Sequence, residues 1–369
     1  MNLTITKEQL ITGLQAVQNV VGGRTTLPIL SNVLLRAEGG CLELTATDLD
    51  VTVSCAVEAQ VKKGGACTVP VKRFFSIVRE LNGAEIEVSA DDKSVCSVRA
   101  GASFYRIHGL GADEFPPLPR LSEGKRVVLK QETMGTMLKR TAFAASTDEA
   151  RYVLNGIFFS LKDHKLTMVA TDGRRLALVD EEVELPDKSQ GEFIVPSKAV
   201  AELGRLLQGT GDVEIRYAEN QAAFHLQAEQ AAPAVVTTKL IEGNYPNYKQ
   251  VIPAEAAERI TLVREEFLHA LRRAEIMTTD KANSVKLTFT KNTLAVTANS
   301  PDVGEARETM ALNYKGKDMA IAFNPRYLIE PLAALSEDEV FFELTDELSP
   351  GVLKINGPFL YVVMPMRLS

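Results

Sequence analysis

One cassette occurs three times in this chain, and that repetition limits what it can fold into more than any bulk property does. Thr45-Ala46-Thr47-Asp48-Leu49-Asp50 is the first copy, Ala170-Thr171-Asp172-Gly173-Arg174-Arg175-Leu176 the second, and Ala295-Val296-Thr297-Ala298-Asn299-Ser300 a degenerate third. The threonines at 47, 171 and 297 are 124 and 126 residues apart, close to a third of the 369-residue length. Length alone is compatible with two or three domains. The threefold repeat decides for three, with expected boundaries at 1–124, 125–254 and 255–369.

Apolar spacing shows what each copy contains. Leu10, Leu14, Val17 and Val21 share one face of a helix over 7–21; Met134, Leu138 and Ala142 do so over 131–144, and Phe267, Leu271 and Ala274 over 264–277. Strand-like alternation follows over 31–53, 155–178 and 284–297, broken by turns such as Glu38-Gly39-Gly40 and Lys162-Asp163-His164. A second helix then starts at Pro70, Pro196 or Pro325 and runs over 71–81, 196–207 or 325–335, because a fixed φ suits a first helical turn. Pro331 inside the last should kink it or stop it early. More strands complete each copy. The expected class is α+β, with two helices packed on antiparallel sheets in every repeat. Two copies exit through linkers, 114–119 and 244–248, while the third ends at 359–369 in what reads as a free apolar tail. Met364 and Met366 there are either the end of a core strand or an adaptable surface for short peptides.

Charge and cysteine usage exclude several classes. A net charge of −7 argues against a chain that coats nucleic acid over its whole exterior, so any anion-binding face must be local. Cys41, Cys55, Cys67 and Cys96 all lie in the first copy without a C-x-x-C pair, and they read as reduced thiols packed as small hydrophobes, with no metal site. Polar residues in 1–10, and no apolar run near ~20 residues, point to a cytoplasmic chain without a membrane span. No Gly-rich phosphate loop is present, and no cofactor is implied. Asp48, Asp50 and Asp172 at strand ends leave two readings open: a carboxylate-based hydrolase, or turn carboxylates accepting backbone N–H bonds. The third copy, lacking the acid, favours the turn.

Helix charges carry the other signal. The six helices hold twelve basic residues against eight acidic, a net +4 that leaves −11 for the rest. Such a bias over repeated helices favours one shared positive surface, able to meet phosphates without reading bases.

Taken together, these residues resemble the bacterial β sliding clamp family, the processivity subunits of DNA polymerase III. The resemblance covers the whole chain. It rests on the repeat, on Leu27-Pro28-Ile29-Leu30 with Asn32, on Arg151-Tyr152 with Leu154-Asn155-Gly156, on the Thr171 cassette, and on Val362-Val363-Met364-Pro365-Met366-Arg367-Leu368. It implies a non-enzymatic, head-to-tail homodimeric ring lined by helices, which encircles duplex DNA without sequence preference. Helices about 10 Å across, twelve in a circle, leave a hole of roughly 28 Å; six leave about 10 Å, too narrow for a duplex about 20 Å wide.

The resemblance also implies a groove for short linear peptides from the replicative DNA polymerase, the clamp loader, translesion polymerases and repair proteins. Carried over by position, it comprises Leu154, Thr171, Gly173, Arg174, Arg175, Leu176, Pro246, Val251, Asn324, Tyr327, Val362, Met364, Pro365, Met366 and Arg367. Expected DNA contacts are Arg24, Lys72, Arg73, Lys139, Arg140, Lys198 and Arg205. At the subunit interface, Tyr105 and Ile107 of an edge strand over 103–108 should face Ile276 and Met277, while Lys72 and Arg73 meet Asp302, Glu305 and Glu308. Arg174 stands where histidine is familiar, Gln250 where arginine often lies and Ala282 where an aromatic can line the pocket; Ser369 extends past the usual terminal leucine. An interaction scaffold that uses the groove without DNA remains the alternative to the ring.

Overall fold

The computed structural model describes residues 1–22, 26–119, 121, 124–185, 189–207, 209–227 and 232–367. Among the described residues six α-helices lie on the expected apolar stripes, the first stopping at Val17, short of the expected 21: α1 (Lys7–Val17), α2 (Val71–Glu80), α3 (Gln131–Thr141), α4 (Ser197–Leu206), α5 (Arg264–Glu275) and α6 (Pro325–Ala334). Each follows a strand, and the strands Asn2–Thr6, Lys125–Lys130 and Glu258–Val263 ahead of α1, α3 and α5 escaped the sequence reading. Each buries only two side chains, Leu3 and Ile5, Val127 and Leu129, or Ile260 and Leu262, too short an alternation to stand out. Pro70 and Pro196 sit at the N-caps of α2 and α4, both with φ −58°, and Pro325 at the first position of α6 after Asn324, whose side chain accepts from the Arg326 N–H at 3.0 Å.

α6 does not stop early at Pro331, one of the two outcomes expected there. It runs past Pro331 to Ala334, with the Leu335 N–H closing onto the Pro331 carbonyl at 3.2 Å. A proline ring removes the donor that would meet the carbonyl four residues back. That carbonyl, of Tyr327, accepts instead from the Tyr361 hydroxyl at 2.6 Å. The gap in the ladder is thus filled from a neighbouring strand, and the helix has no reason to stop.

The chain divides into two compact units, one of Met1–Gly135 with Val183–Ile241 and one of Thr136–Glu182 with Glu242–Ser369. The first holds a five-stranded antiparallel sheet with Ser103–His108 at its edge. Beside it is a larger sheet in which Ala234–Lys239, from the second copy, pairs with Val51–Glu58 from the first, Val236 opposite Val53. α1 packs on the strands Cys41–Thr47 and Val51–Glu58. Gly13 allows that approach, since a Cβ there would lie 2.7 Å from Leu44 Cδ1. Leu10, Leu14 and Val17 are fully buried on this face, each contributing about 1.5–3 kcal/mol. Cys55, Cys67 and Cys96 are core residues as expected, but Cys41, at a strand start, is exposed.

In the second unit, seven strands of one sheet succeed one another: Gly156–Lys162, Lys165–Thr171, Arg175–Glu182, Phe359–Val363, Gly351–Lys354, Glu339–Leu344 and Glu258–Val263. Phe359–Val363 is therefore interior, with Ala177 opposite Tyr361 on one side and Leu353 opposite it on the other. The expected free tail is a core strand up to Val363; exposure begins at Met364. A four-stranded sheet, Gly304–Ala311, Thr293–Ser300, Val285–Thr290 and Met319–Phe323, completes this unit, and α5 packs against α6.

Candidate binding groove

The repeated cassette is a turn, built identically in two copies. In the first, Thr47 Oγ donates to the Val51 carbonyl (3.1 Å) and accepts from the Leu49 N–H (3.1 Å), while Asp48 Oδ1 accepts from the N–H groups of Asp50 (3.1 Å) and Val51 (2.8 Å). In the second, Thr171 Oγ donates to the Arg175 carbonyl (2.5 Å) and accepts from Gly173 (3.1 Å), and Asp172 Oδ1 accepts from Arg174 (2.9 Å) and Arg175 (3.1 Å). Leu49 and Gly173 both take a left-handed backbone, φ 81° and 84°. The third copy has alanine for the aspartate, and there the strand continues to Ser300 before turning at Gly304. Each of the three candidate hydrolase carboxylates also meets a cation: Asp48 meets Lys198, Asp50 meets Lys239 at 3.0 Å, and Asp172 meets Arg175 at 3.0 Å. Burial pushes the Asp48 carboxyl up, but the Lys198 ammonium and the two backbone donors outweigh it and hold the group below its ordinary value. Among the described residues no three His, Cys, Asp or Glu side chains come together as a metal site.

Arg175 converts the second turn into a site. Its guanidinium is buried and meets Asp172, Glu330 on α6, the Phe143 carbonyl at 2.6 Å, and the rings of Tyr327 at 4.5 Å and Phe143 at 5.7 Å. One fork thus ties the turn, the end of α3 and the start of α6 together, which an ammonium could not do. The tail locks on next: the Met364 N–H donates to the Arg174 carbonyl at 2.9 Å and the Met366 N–H to the Ala322 carbonyl at 2.7 Å. The loop after residue 244 is anchored by Tyr245, stacked on Phe158 at 4.9 Å, and by Tyr248 tilted against the same ring.

The fifteen expected groove residues separate by exposure. Leu154, Thr171, Arg175, Leu176 and Val362 are buried and act as framework, not as contact surface. Gly173, Arg174, Pro246, Val251, Met364, Met366 and Arg367 are exposed, with Asn324, Tyr327 and Pro365 half-buried among them. Beside this surface lies a cleft of about 520 Å³, walled by Arg174, Asn324 and Tyr327 and also by Phe143, Asp148, Arg151, Arg326 and Glu330. Those last five were missed, along with Tyr245 and Phe158. Only Arg151 carried a signal, in its spacing from Leu154-Asn155-Gly156.

The expected DNA contacts fare unevenly. Lys72, Arg73 and Lys139 are exposed on their helices, and Lys198 is half-exposed in its pair with Asp48. Two are engaged inside the protein. Arg140 pairs with Glu337 at 2.5 Å, and Arg205 donates to the Gln15 and Ala16 carbonyls at 2.9 and 2.5 Å and pairs with Glu202, capping the C-terminal turn of α1. Lys7 and Arg264 likewise donate to carbonyls that end α2 and α6. Part of the helical positive charge is therefore engaged within the chain. Arg24 lies outside the described residues.

For the interface, Tyr105 and Ile276 are exposed and Met277 half-buried, while Ile107, two residues along the same strand from Tyr105, is 5% exposed in the single chain. Glu308 is held below its ordinary pKa by Arg273, at 2.6 Å, so it has a partner within the chain.

Three repeats of two helices on antiparallel sheets, with strands shared between consecutive copies, define a three-domain DNA clamp fold. Comparison with known proteins agrees along the full chain. Residues 1–119, 128–247 and 249–367 match the N-terminal, central and C-terminal domain models of the DNA polymerase III beta subunit. The beta sliding clamp of Escherichia coli K12 is 36% identical over 376 residues, covering 100% of both chains, and that of Chlamydia muridarum 35% over 368 residues, covering 100% of this chain and 99% of that one. The sliding clamp of Bartonella birtlesii, solved bound to griselimycin, superposes with a TM-score of 0.94 at 38% identity, and that of Bacillus subtilis with 0.93 at 26%, each covering 100% of both chains. The chain belongs to the DNA polymerase III beta subunit family, the bacterial β sliding clamps, which are non-catalytic processivity factors.

Proposed function

We propose that this chain forms a head-to-tail homodimeric ring around duplex DNA in the cytoplasm and tethers replication and repair proteins to it. The three repeats act as domains 1–124, 125–254 and 255–369. The replicative polymerase, the clamp loader, translesion polymerases and repair proteins enter the exposed groove through short linear peptides. Lys72, Arg73, Lys139 and Lys198 supply diffuse phosphate contacts that permit sliding, because contacts to the backbone alone carry no register. Tyr105 and Ile107 of one subunit face Ile276 and Met277 of the other.

The observation that carries the groove is the pair of exposed methionines on the tail, Met364 and Met366, whose backbone N–H groups donate to the Arg174 and Ala322 carbonyls, together with the buried Arg175 that fixes the adjoining turn against Tyr327. Two apolar peptide anchors buried there contribute about 3–6 kcal/mol before ordering costs, which suits partners that exchange. Sedimentation of the purified chain at micromolar concentration should give a dimer. Deleting residues 364–369 should abolish peptide binding and leave the dimer intact. A stable monomer contradicts the ring, and dissociation on deletion contradicts the assignment of the tail to the groove.

A further inference from the structure

Two thiols from different sheets of the first unit face each other, and the groove makes no use of them. Cys67 lies on Gly65–Pro70, the edge strand of the larger sheet, and Cys96 on Val95–Ala100 of the five-stranded sheet. They are 2% and 0% exposed. The backbone fixes their meeting from both sides. On one side Met1 bridges the sheets: its ammonium donates to the Ala90 carbonyl at 3.2 Å, Ala90 lies opposite Cys96, and a Cβ on Gly65 would stand 3.2 Å from the Met1 nitrogen. On the other side Gly109 does so. Its N–H donates to the Ser94 carbonyl at 2.9 Å, and an added Cβ would lie 1.9 Å from the Thr68 carbonyl oxygen, a collision that only glycine avoids. Between these two bridges the Cys96 thiol donates to the Cys67 sulfur. That bond, helped by the Met1 ammonium, holds the Cys67 thiol below its ordinary pKa against burial, while the same bond and burial push Cys96 up.

We propose that Cys67 and Cys96 are a disulfide-forming pair, which a low-molecular-weight disulfide such as oxidised glutathione converts into a covalent staple between the two sheets. The Cys67 thiolate attacks one sulfur of the oxidant. The oxidant's S–S bond breaks, a mixed disulfide forms on Cys67, and one glutathione leaves as a thiolate that takes up a proton. Cys96 then gives up its proton and attacks the Cys67 sulfur, displacing the second glutathione. Two electrons and two protons have passed from the pair to the oxidant, which ends as two thiols. Because both sulfurs are buried, the reagent enters only when the fold opens locally. The edge strand is where opening costs least: it pairs along its length with Asn32–Glu38 on one side and meets only an isolated bridge, Thr68 to Leu110, on the other. Exposed Cys41 therefore reacts sooner, and Cys67 with Cys96 more slowly. Once closed, the link restricts the unfolded chain between residues 67 and 96 and so favours the folded first unit.

The test exposes the folded full chain to excess oxidised glutathione without denaturant, alkylates the remaining thiols and digests with trypsin without reduction. Trypsin releases Cys67 in residues 64–72 and Cys96 in residues 94–99, apart from Cys41 and Cys55, so mass spectrometry reads the link directly. After several hours the two fragments should appear joined, with Cys41 carrying a single glutathione. The linked chain should melt roughly 5–10 °C higher in the transition of the first unit, and dithiothreitol should reverse both changes. Cys96→Ala should show neither the link nor the rise. Recovery of the two fragments unlinked, with glutathione confined to Cys41, overturns the proposal. So does a link that forms only after unfolding in urea, or a linked chain that melts where the reduced one does.

Discussion

Replacing Arg175 with alanine removes a fork that four groups depend on. Asp172 and Glu330 would face each other's charge without the cation between them, and the Phe143 carbonyl would lose its donor. Removing one member of a buried ion pair costs about 3–5 kcal/mol, since the partners stay desolvated. Here both acids keep about a fifth of their side-chain surface, so partial rehydration places the loss near the lower end, about 3 kcal/mol. For a cooperative unit of roughly 150–250 residues that corresponds to a fall of about 6–12 °C in melting temperature. Calorimetry and urea unfolding of the Arg175→Ala chain should show it in the transition of the unit that contains α5 and α6. Arg175→Lys should recover less than half, because an ammonium keeps the charge without reaching three acceptors. In a double-mutant cycle with Glu330→Gln the two losses should fall short of additivity by at least about 1 kcal/mol. A loss below about 1 kcal/mol for Arg175→Ala, or strict additivity in the cycle, refutes the claim that this side chain organises the site.

Two further outcomes are specific to this chain. Tyr361→Phe should cost about 1–2 kcal/mol, because the Tyr327 carbonyl loses the donor that replaces the missing N–H of Pro331. Adding Pro331→Ala, which restores a backbone donor, should recover most of it in urea midpoints. Asp48 gives a pH signature. Its carboxyl is held below the ordinary value in the fold, so its charge stabilises above the unfolded pKa near 3.8, and that contribution disappears as pH falls through the lower folded value. The stability gap between the natural chain and Asp48→Asn should be constant from about pH 6 to 7 and close below about pH 3.8; a gap unchanged at lower pH contradicts the Lys198 pairing.

Local chemistry was readable from the sequence, and distant pairing was not. The helices were legible because apolar spacing and the prolines at their starts agree. The cassette was legible because Thr47-Asp48 and Thr171-Asp172 carry their own turn bonds within four residues, whereas the longer strand at Ala298, running on to Ser300, was not foreseen. The Arg175–Glu330 pair spans 155 residues and has no spacing to betray it. The same holds for Arg205 of α4, which reaches the Gln15 carbonyl of α1, and for Arg140 beside Glu337; both counted as free cations on helix faces until their partners were placed. Ile107 alternates like any edge residue, and its 5% exposure in the single chain was not legible. The groove's frame was named by resemblance, but which members are exposed depends on a strand, Phe359–Val363, whose interior position follows from partners on both sides.

Enclosure of DNA is the claim on which the functional account stands, and retention on closed against open DNA tests it most directly. The chain, placed on nicked circular duplex by its loader and washed at about 0.5 M salt, should remain bound, and it should leave when a single cut linearises the circle. Loss from the circle at that salt, or equal retention before and after the cut, would mean that the chain holds DNA by adhesion and does not surround it.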